Sequence, residues 1–301
     1  MSKKAKARAA PPATSGSSIA GAGLILLASA FIAASTLCAK MLGTGDGALS
    51  AVQITWGRYV FGLSALLQVA SVMRPKFSAP QWPLHVLRVG CGAAGVTCMF
   101  AAAALIPLAD ATAISMLNPV IAMLLAIPIL AERIGPVRWS MAGLALFGAL
   151  LLIRPGGSTF EPAALIALLA AVLMGVEVIA LKLLAGREGA FQVILIANAL
   201  GALFATVALL TGWQWPTPEQ WMLMLATGVL MVTAQGFFTN ALRIGDASFV
   251  LPFSYATLLF AALYDFVLFD VVPVPLSLLG GLIIIVSGVI LAWRDSKSRA
   301  G

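Results

Sequence analysis

Charge is what this chain has least of. Only 10% of its 301 residues are Asp, Glu, Lys or Arg, whereas a soluble domain carries about 25%, so most of its surface does not face water. Histidine occurs once, as His85, and cysteine three times, as Cys38, Cys91 and Cys98, each inside an apolar stretch. That inventory has no Cys-x-x-Cys pair, too few ligands for zinc or haem, and no spacing that suggests a disulfide framework. No Walker sequence is present, which argues against ATP-driven work by this chain alone. No Ser or Cys stands with a His in a pattern for nucleophilic catalysis. Neither an enzyme nor a bound cofactor or metal is expected.

What the chain has instead is hydrophobicity: 61% of its residues are apolar and the mean hydropathy is +1.03. A membrane-crossing helix needs about 20 apolar residues, so there is room for about ten crossings and no sizeable soluble domain. Cutting at Gly, Pro and charge clusters leaves ten apolar stretches: 19–42, 51–72, 84–105, 111–130, 137–153, 162–184, 191–211, 221–242, 248–268 and 276–293. The expected fold class is therefore an all-α integral membrane protein with ten transmembrane helices. Residues 1–18, with Lys3, Lys4, Lys6, Arg8, Pro11 and Pro12, have the composition of a disordered basic tail. Residues 295–301 form a second short tail.

The net charge of +7 would suggest nucleic acid in a soluble protein, but here basic residues mostly report which side of the bilayer a loop occupies. With the N terminus inside, 13 of the 18 Lys and Arg fall on inner tails and loops, while the outer loops hold only Arg154. That bias predicts that both termini are cytoplasmic.

The two halves echo each other. Lys40 and Lys182 lie 142 residues apart, Arg58 and Asn198 140, Asp110 and Asp246 136, Gly148 and Gly288 140, and Arg154 and Arg294 140. This predicts two five-helix units, residues 19–154 and 155–294. Because five is odd, the second unit is inverted in the membrane, an architecture that supports alternating access to a central site.

The first half carries Asp110-Ala111-Thr112-Ala113, Asn118-Pro119, Ala131-Glu132-Arg133-Ile134 and a closing Ile153-Arg154-Pro155-Gly156. It resembles the EamA-type unit of the drug/metabolite transporter superfamily. The second half carries a fainter copy in Asp246-Ala247-Ser248, Leu251-Pro252, Phe269-Asp270 and Gly281 to Gly288, but has Asp270-Val271 where the first has Glu132-Arg133. Gln235 to Ala241, together with Pro252-Phe253-Ser254-Tyr255, is similar to S-adenosylmethionine uptake carriers and less closely to riboflavin carriers. The resemblance implies a ten-helix carrier of a bacterial-type inner membrane, with a cavity between its halves.

Ionised groups deep in a bilayer cost about 3 kcal/mol each on insertion scales, so those present face a cavity, a partner or the interface. Arg58, inside the second segment, can fork onto a carboxylate, phosphate or sulfonate, or pair with an internal acid. Glu177 sits mid-segment with no cation one helical turn away on either side. It is a candidate for recognising a cationic group or carrying a proton, with a structural pair to Arg58 as its other reading. Asp265 is a second proton-coupling candidate, with an interfacial position as the blander reading. Lys40 and Lys182 are expected to snorkel to headgroups.

Asn118 and Gln235 are candidate amides of the cavity, against a plain role as interhelical glue. Ser254 and Tyr255 are candidate hydrogen-bonding groups, and Trp56, Phe100 and Tyr255 candidate stacking surfaces. Pro119 and Pro252 interrupt the fourth and ninth segments and are candidate hinges. Gly90-Cys91-Gly92-Ala93-Ala94-Gly95 matches a dinucleotide fingerprint, but no strand precedes it, so its small residues read as a place where helices approach closely.

The function expected is secondary transport of a small organic metabolite by alternating access. A zwitterionic or ring-containing solute such as S-adenosylmethionine or an amino acid would suit it, with the bilayer and protons as further partners, no nucleic acid, and a monomer or homodimer as the assembly. The alternatives are a non-transporting membrane scaffold or regulatory subunit, and a lipid flippase.

Overall fold

The computed structural model describes residues 15–43, 47–103, 114–153, 163–210, 212–269 and 275–298. Among them the regular elements are all helical: α1 Ser15–Leu42, α2 Ala51–Met73, α3 Trp82–Ala103, α4 Asn118–Leu130, α5 Pro136–Ile153, α6 Ala163–Ala185, α7 Ala190–Leu209, α8 Pro218–Ile244, the short α9 Ala247–Val250, a 3-10 turn Leu251–Tyr255, α10 Ala256–Phe269 and α11 Pro275–Ser298. Their Leu, Ala, Val and Ile content is high on all faces. Large apolar side chains such as Leu203, Val207, Leu282 and Val289 are left exposed. That pattern suits hydrocarbon rather than water, and a helix satisfies its own backbone groups there. Among the described residues five stretches have the length and apolarity to cross a membrane: Ile19–Leu42, Leu165–Ala185, Ala190–Leu209, Pro218–Ile244 and Ala247–Leu268.

Most sequence-derived segments correspond to helices with ends shifted by a few residues. α1 begins at Ser15, inside the stretch expected to be tail, and residues 1–14 lie outside the described set. The fourth and ninth segments depart more. In the segment expected over 111–130, residues 111–113 lie outside the described set and α4 starts at Asn118, after a turn in which the Leu117 amide donates to the Ile114 carbonyl at 3.0 Å. Pro119 sits in the first turn of α4, where its missing N–H leaves no bond unmade. The ninth segment runs through α9 and the 3-10 turn before α10 begins, with Pro252 in the first turn of the 3-10 element. These two interruptions meet, because the Tyr255 hydroxyl donates to the Met116 carbonyl at 2.7 Å.

Helix pairing respects the division into halves. α1 packs on α8 as α3 does on α6, and α1 on α10 as α4 does on α6. α2 with α7, and α5 with α11, pair corresponding members of the two halves. Exchanging the first five segments for the second five maps this pattern onto itself. Small residues set the spacing. At Gly228 of α8 an added Cβ would lie 2.7 Å from the Gly62 amide nitrogen of α2, so these two backbones touch.

One end of the bundle is closed by two polar clusters. Glu188, in the α6–α7 turn, accepts from the Gln81 amide at 2.6 Å, the Gln192 side chain at 2.7 Å and His85 Nε2 at 3.0 Å. Gln192 in turn accepts from the Ser78 amide at 2.8 Å and donates to the Ser78 carbonyl at 3.0 Å. The second cluster joins the α4–α5 loop to α9. The Glu132 carboxylate accepts from the Ala247 and Ser248 amides at 2.9 and 3.0 Å, satisfying donors that a helix start leaves orphaned. Arg138 adds bonds to Ser248 Oγ and Asp246. Lys182 ties the two clusters together by donating to the Leu242 and Gly245 carbonyls at the end of α8. It serves as a C-terminal cap rather than a headgroup anchor.

At the opposite end, Gln53 holds the α7–α8 loop by bonds to both backbone groups of Gln214, and Gln220 reaches the Gly47 carbonyl at 2.9 Å.

Glu188 predicts a clear stability effect. In Glu188→Gln one carboxylate oxygen becomes an NH2 facing donors, so the cluster loses acceptors it cannot replace. The expected loss is about 3 kcal/mol, read as a lowered unfolding midpoint in detergent. An unchanged midpoint would mean that these bonds do not hold the end of the bundle.

Candidate functional site

In the bundle interior Arg58 of α2, Arg88 of α3 and Glu177 of α6 lie near enough for the two cationic charges to act on Glu177. On α3, Arg88, Cys91, Gly92 and Gly95 recur at positions i, i+3, i+4 and i+7 and so share one helical face. α6 lies against that face. An added Cβ at Gly92 would come 2.9 Å from the Glu177 carboxyl carbon, and one at Gly95 would come 2.9 Å from Met174 Cγ. The glycines of the false dinucleotide motif thus make room for a carboxylate. Among the described residues no hydrogen bond or ion pair closes on Glu177, and the cationic charges that bear on it are those of Arg88 first and Arg58 second.

Arg88 is 4% exposed and donates through Nη1 to the Val193 carbonyl at 3.2 Å. Arg58 is held differently. Its guanidinium lies 4.4 Å over the centre of the Tyr59 ring, a cation–π contact, and its Nε is buried with no hydrogen-bond partner. Tyr59 is itself fixed, because its ring fills the space a Cβ on Gly201 would take, 2.4 Å from Cε1. Beside it, Asn198 donates to the Ile194 carbonyl at 2.9 Å and to Gln235 Oε1 at 2.7 Å, linking α7 to α8. The result is a low-dielectric site with two guanidinium groups, one carboxylate and one buried donor lacking an acceptor. A donor in that condition is a place for a ligand oxygen.

The structure brings Arg58 and Glu177 to one region and puts Gln235 at its α7–α8 side. A second group forms at the interrupted helices. Asn118 donates to the Ser115 carbonyl at 3.0 Å, Ser254 to the Leu251 carbonyl at 2.7 Å, and Tyr255 to Met116, with Pro119 and Pro252 both buried there. This group adjoins the first through Gly175, two residues before Glu177, whose Cβ position would lie 2.8 Å from Ile121 Cγ2 of α4. Trp56 stands apart, toward the end with the α7–α8 loop. Its indole donates to Thr206 Oγ1 at 3.1 Å and meets Trp213 edge-on at 5.1 Å, within an aromatic group that includes Trp215 and Trp221. That composition suits a membrane interface. Asp265 lies on α10, but its side chain, like that of Phe100, is outside the described set. Asp110 and Arg154 are outside it as well.

Reading the sequence missed Arg88 and the His85–Glu188 cluster. The spacing from Arg88 to Gly92 and Gly95 was the available signal for the first. Nothing local signals the second, since its partners are 103 residues apart.

Among the described residues no group of three His, Cys, Asp or Glu is placed to hold a metal. A separate cavity of about 180 Å3 between α1, α5, the 3-10 turn and α11 is lined by Leu26, Met141, Pro252, Phe253, Leu259 and Ile284. It offers nothing to a charged solute.

Long apolar helices around a cluster of charged side chains fit a multi-pass membrane protein. The chain belongs to the EamA-like transporter family, whose model matches it twice, over residues 19–154 and 161–294. It is 27% identical over 246 residues to the pseudopaline exporter of Pseudomonas aeruginosa, covering 81% of this chain and 87% of that one. It is 30% identical over 214 residues to a riboflavin transporter of Rhizobium johnstonii, covering 71% of each. To an S-adenosylmethionine uptake transporter of Rickettsia prowazekii it is 24% identical over 262 residues, covering 87% and 88%. A solved crystal structure at 23% identity shares the fold with a TM-score of 0.74, covering 93% of this chain and 97% of its own.

Proposed function

We propose that this protein is a secondary carrier of a small organic metabolite, working by alternating access between two inverted five-helix halves, 19–154 and 155–294. It would sit in a bacterial-type inner membrane with ten crossings and both termini cytoplasmic, in line with the positive-inside bias. The observation that carries this reading is that Arg58, whose buried Nε lacks an acceptor, and Glu177, with no hydrogen bond among the described residues, lie in one region of the bundle without pairing. Groups retained unpaired in so apolar a setting have a functional partner. The exchange symmetry of the helix pairing, and the relatives named for exporting or taking up small metabolites, support the same reading.

In this scheme Arg58 and Glu177 recognise opposite charges on the solute. Gln235, Asn118 and Ser254 lie around the two adjoining polar groups, with Tyr255 bracing the interrupted helices and Trp56 toward one mouth. Pro119 and Pro252 mark where the fourth and ninth segments bend as the halves exchange roles. The clusters around Glu188 and Glu132 close the cytoplasmic side, and the bonds from Gln53 and Gln220 close the other.

Glu177 is assigned proton coupling. The protein would be reconstituted in vesicles, a pH gradient imposed, and accumulation of labelled S-adenosylmethionine, riboflavin and amino acids followed. Glu177→Gln is expected to abolish pH-driven accumulation while retaining solute exchange. A pH dependence identical to that of the unmodified protein would remove Glu177 from coupling.

A further inference from the structure

Among the described residues the charges around Glu177 do not balance. Those of Arg58 and Arg88 bear on this one described acid, and the other described carboxylates are engaged or placed elsewhere. Glu132 holds the start of α9, Glu188 holds the α6–α7 turn, Asp246 pairs with Arg138, and Glu219 lies in the first turn of α8. Arg88 spends one donor on the Val193 carbonyl, whereas Arg58 has a buried Nε with no acceptor. The Arg58 guanidinium carbon lies 4.4 Å over the centre of the Tyr59 ring. A guanidinium with an unused N–H matches the coplanar oxygens of a carboxylate.

We infer that the solute of this site carries a carboxylate or similar planar oxyanion recognised by Arg58, and that the site favours solutes whose anionic groups outnumber their cationic ones. This rests on the carrier reading but is more specific than it. A net-cationic molecule such as S-adenosylmethionine would bring a positive charge to a junction that already has one to spare. An organic acid with one amine fits better, with its carboxylates at Arg58 and Arg88 and its ammonium at Glu177.

A native thiol reports on this field. Cys91 is half-buried on the same face of α3, next to Gly92, and the charge of Glu177 reaches it. In full-length protein carrying Cys38→Ser and Cys98→Ser, reconstituted in vesicles, its modification rate would be measured with two methanethiosulfonates. One bears a sulfonate and the other a trimethylammonium group. The ratio of anionic to cationic rates, divided by the same ratio for a free thiol, is expected to be about tenfold. It should fall toward one in Arg58→Gln, hold in Arg58→Lys, and rise in Glu177→Gln.

A normalised ratio below one, a ratio unmoved by Arg58→Gln, or a Cys91 inert to both reagents in folded protein would overturn the inference. Counterflow in the same vesicles keeps the two ideas separable. Exchange of cationic solutes with a ratio below one would overturn the charge preference and leave the carrier standing. An anionic preference with no exchange of any solute would support the charged site and count against the carrier.

Discussion

Gly228→Leu is expected to leave almost no folded protein. A Cβ there would lie 2.7 Å from the Gly62 amide nitrogen, 2.8 Å from Phe61 Cβ and 3.0 Å from the Arg58 carbonyl. Two of those three atoms are backbone, so no rotamer change relieves the contact and α2 must move off α8. Overpacking of this kind costs about 3 kcal/mol or more where backbones have to separate, a large part of a protein's total stability. Gly236→Leu is the control: it lies eight residues on in the same helix, with nothing within 4 Å of its Cβ position. Size-exclusion profiles and unfolding midpoints in detergent should separate the two sharply. Equal behaviour would mean that α2 and α8 do not meet as described.

Arg58→Gln should do the opposite, sparing the fold and removing the function. Its guanidinium makes no ion pair with Glu177 among the described contacts, and its Nε is unsatisfied. Removing it therefore relieves a buried charge rather than breaking a bond, and the unfolding midpoint should hold or rise. A charged hydrogen bond to a solute is worth about 1.5 to 3 kcal/mol, so the exchange rate at low solute concentration should fall about 10- to 100-fold. Stability gained with activity lost is the signature of a functional site. If Arg58 and Glu177 were instead a static pair in a scaffold, either neutralisation would cost about 3 to 5 kcal/mol. Neutralising both would then restore the fold.

These two expectations draw on different layers of information. The helices themselves were legible, since runs of about 20 apolar residues punctuated by Gly, Pro and charge specify membrane helices almost without context. The interruptions were legible as prolines but not as geometry. Pro119 and Pro252 signal a break, yet that the breaks meet through Tyr255 and Met116 depends on a contact spanning 139 residues.

Within the site, Arg58 and Glu177 stood out because charge is conspicuous in an apolar run. Arg88 did not, since only the packing of α3 on α6 and α7 buries it. Lys182 misled for the same reason. A stem long enough to snorkel is also long enough to reach the carbonyls that end α8, and the neighbouring helix decides between them. Gly92 carried no signal beyond its spacing from Arg88, because the absence of a side chain gains meaning only from the carboxylate beside it.

The account stands or falls on whether this protein binds a solute on one side of a bilayer and releases it on the other. The direct measurement is counterflow in vesicles of purified protein, with labelled amino acids, riboflavin and S-adenosylmethionine each tested against an unlabelled excess. Saturable counterflow of at least one of these solutes is expected, strongest for acidic amino acids, whose carboxylates outnumber their ammonium group, and sharply reduced in Arg58→Gln. Folded, reconstituted protein that exchanges none of them, while a known carrier in parallel vesicles does, would contradict it.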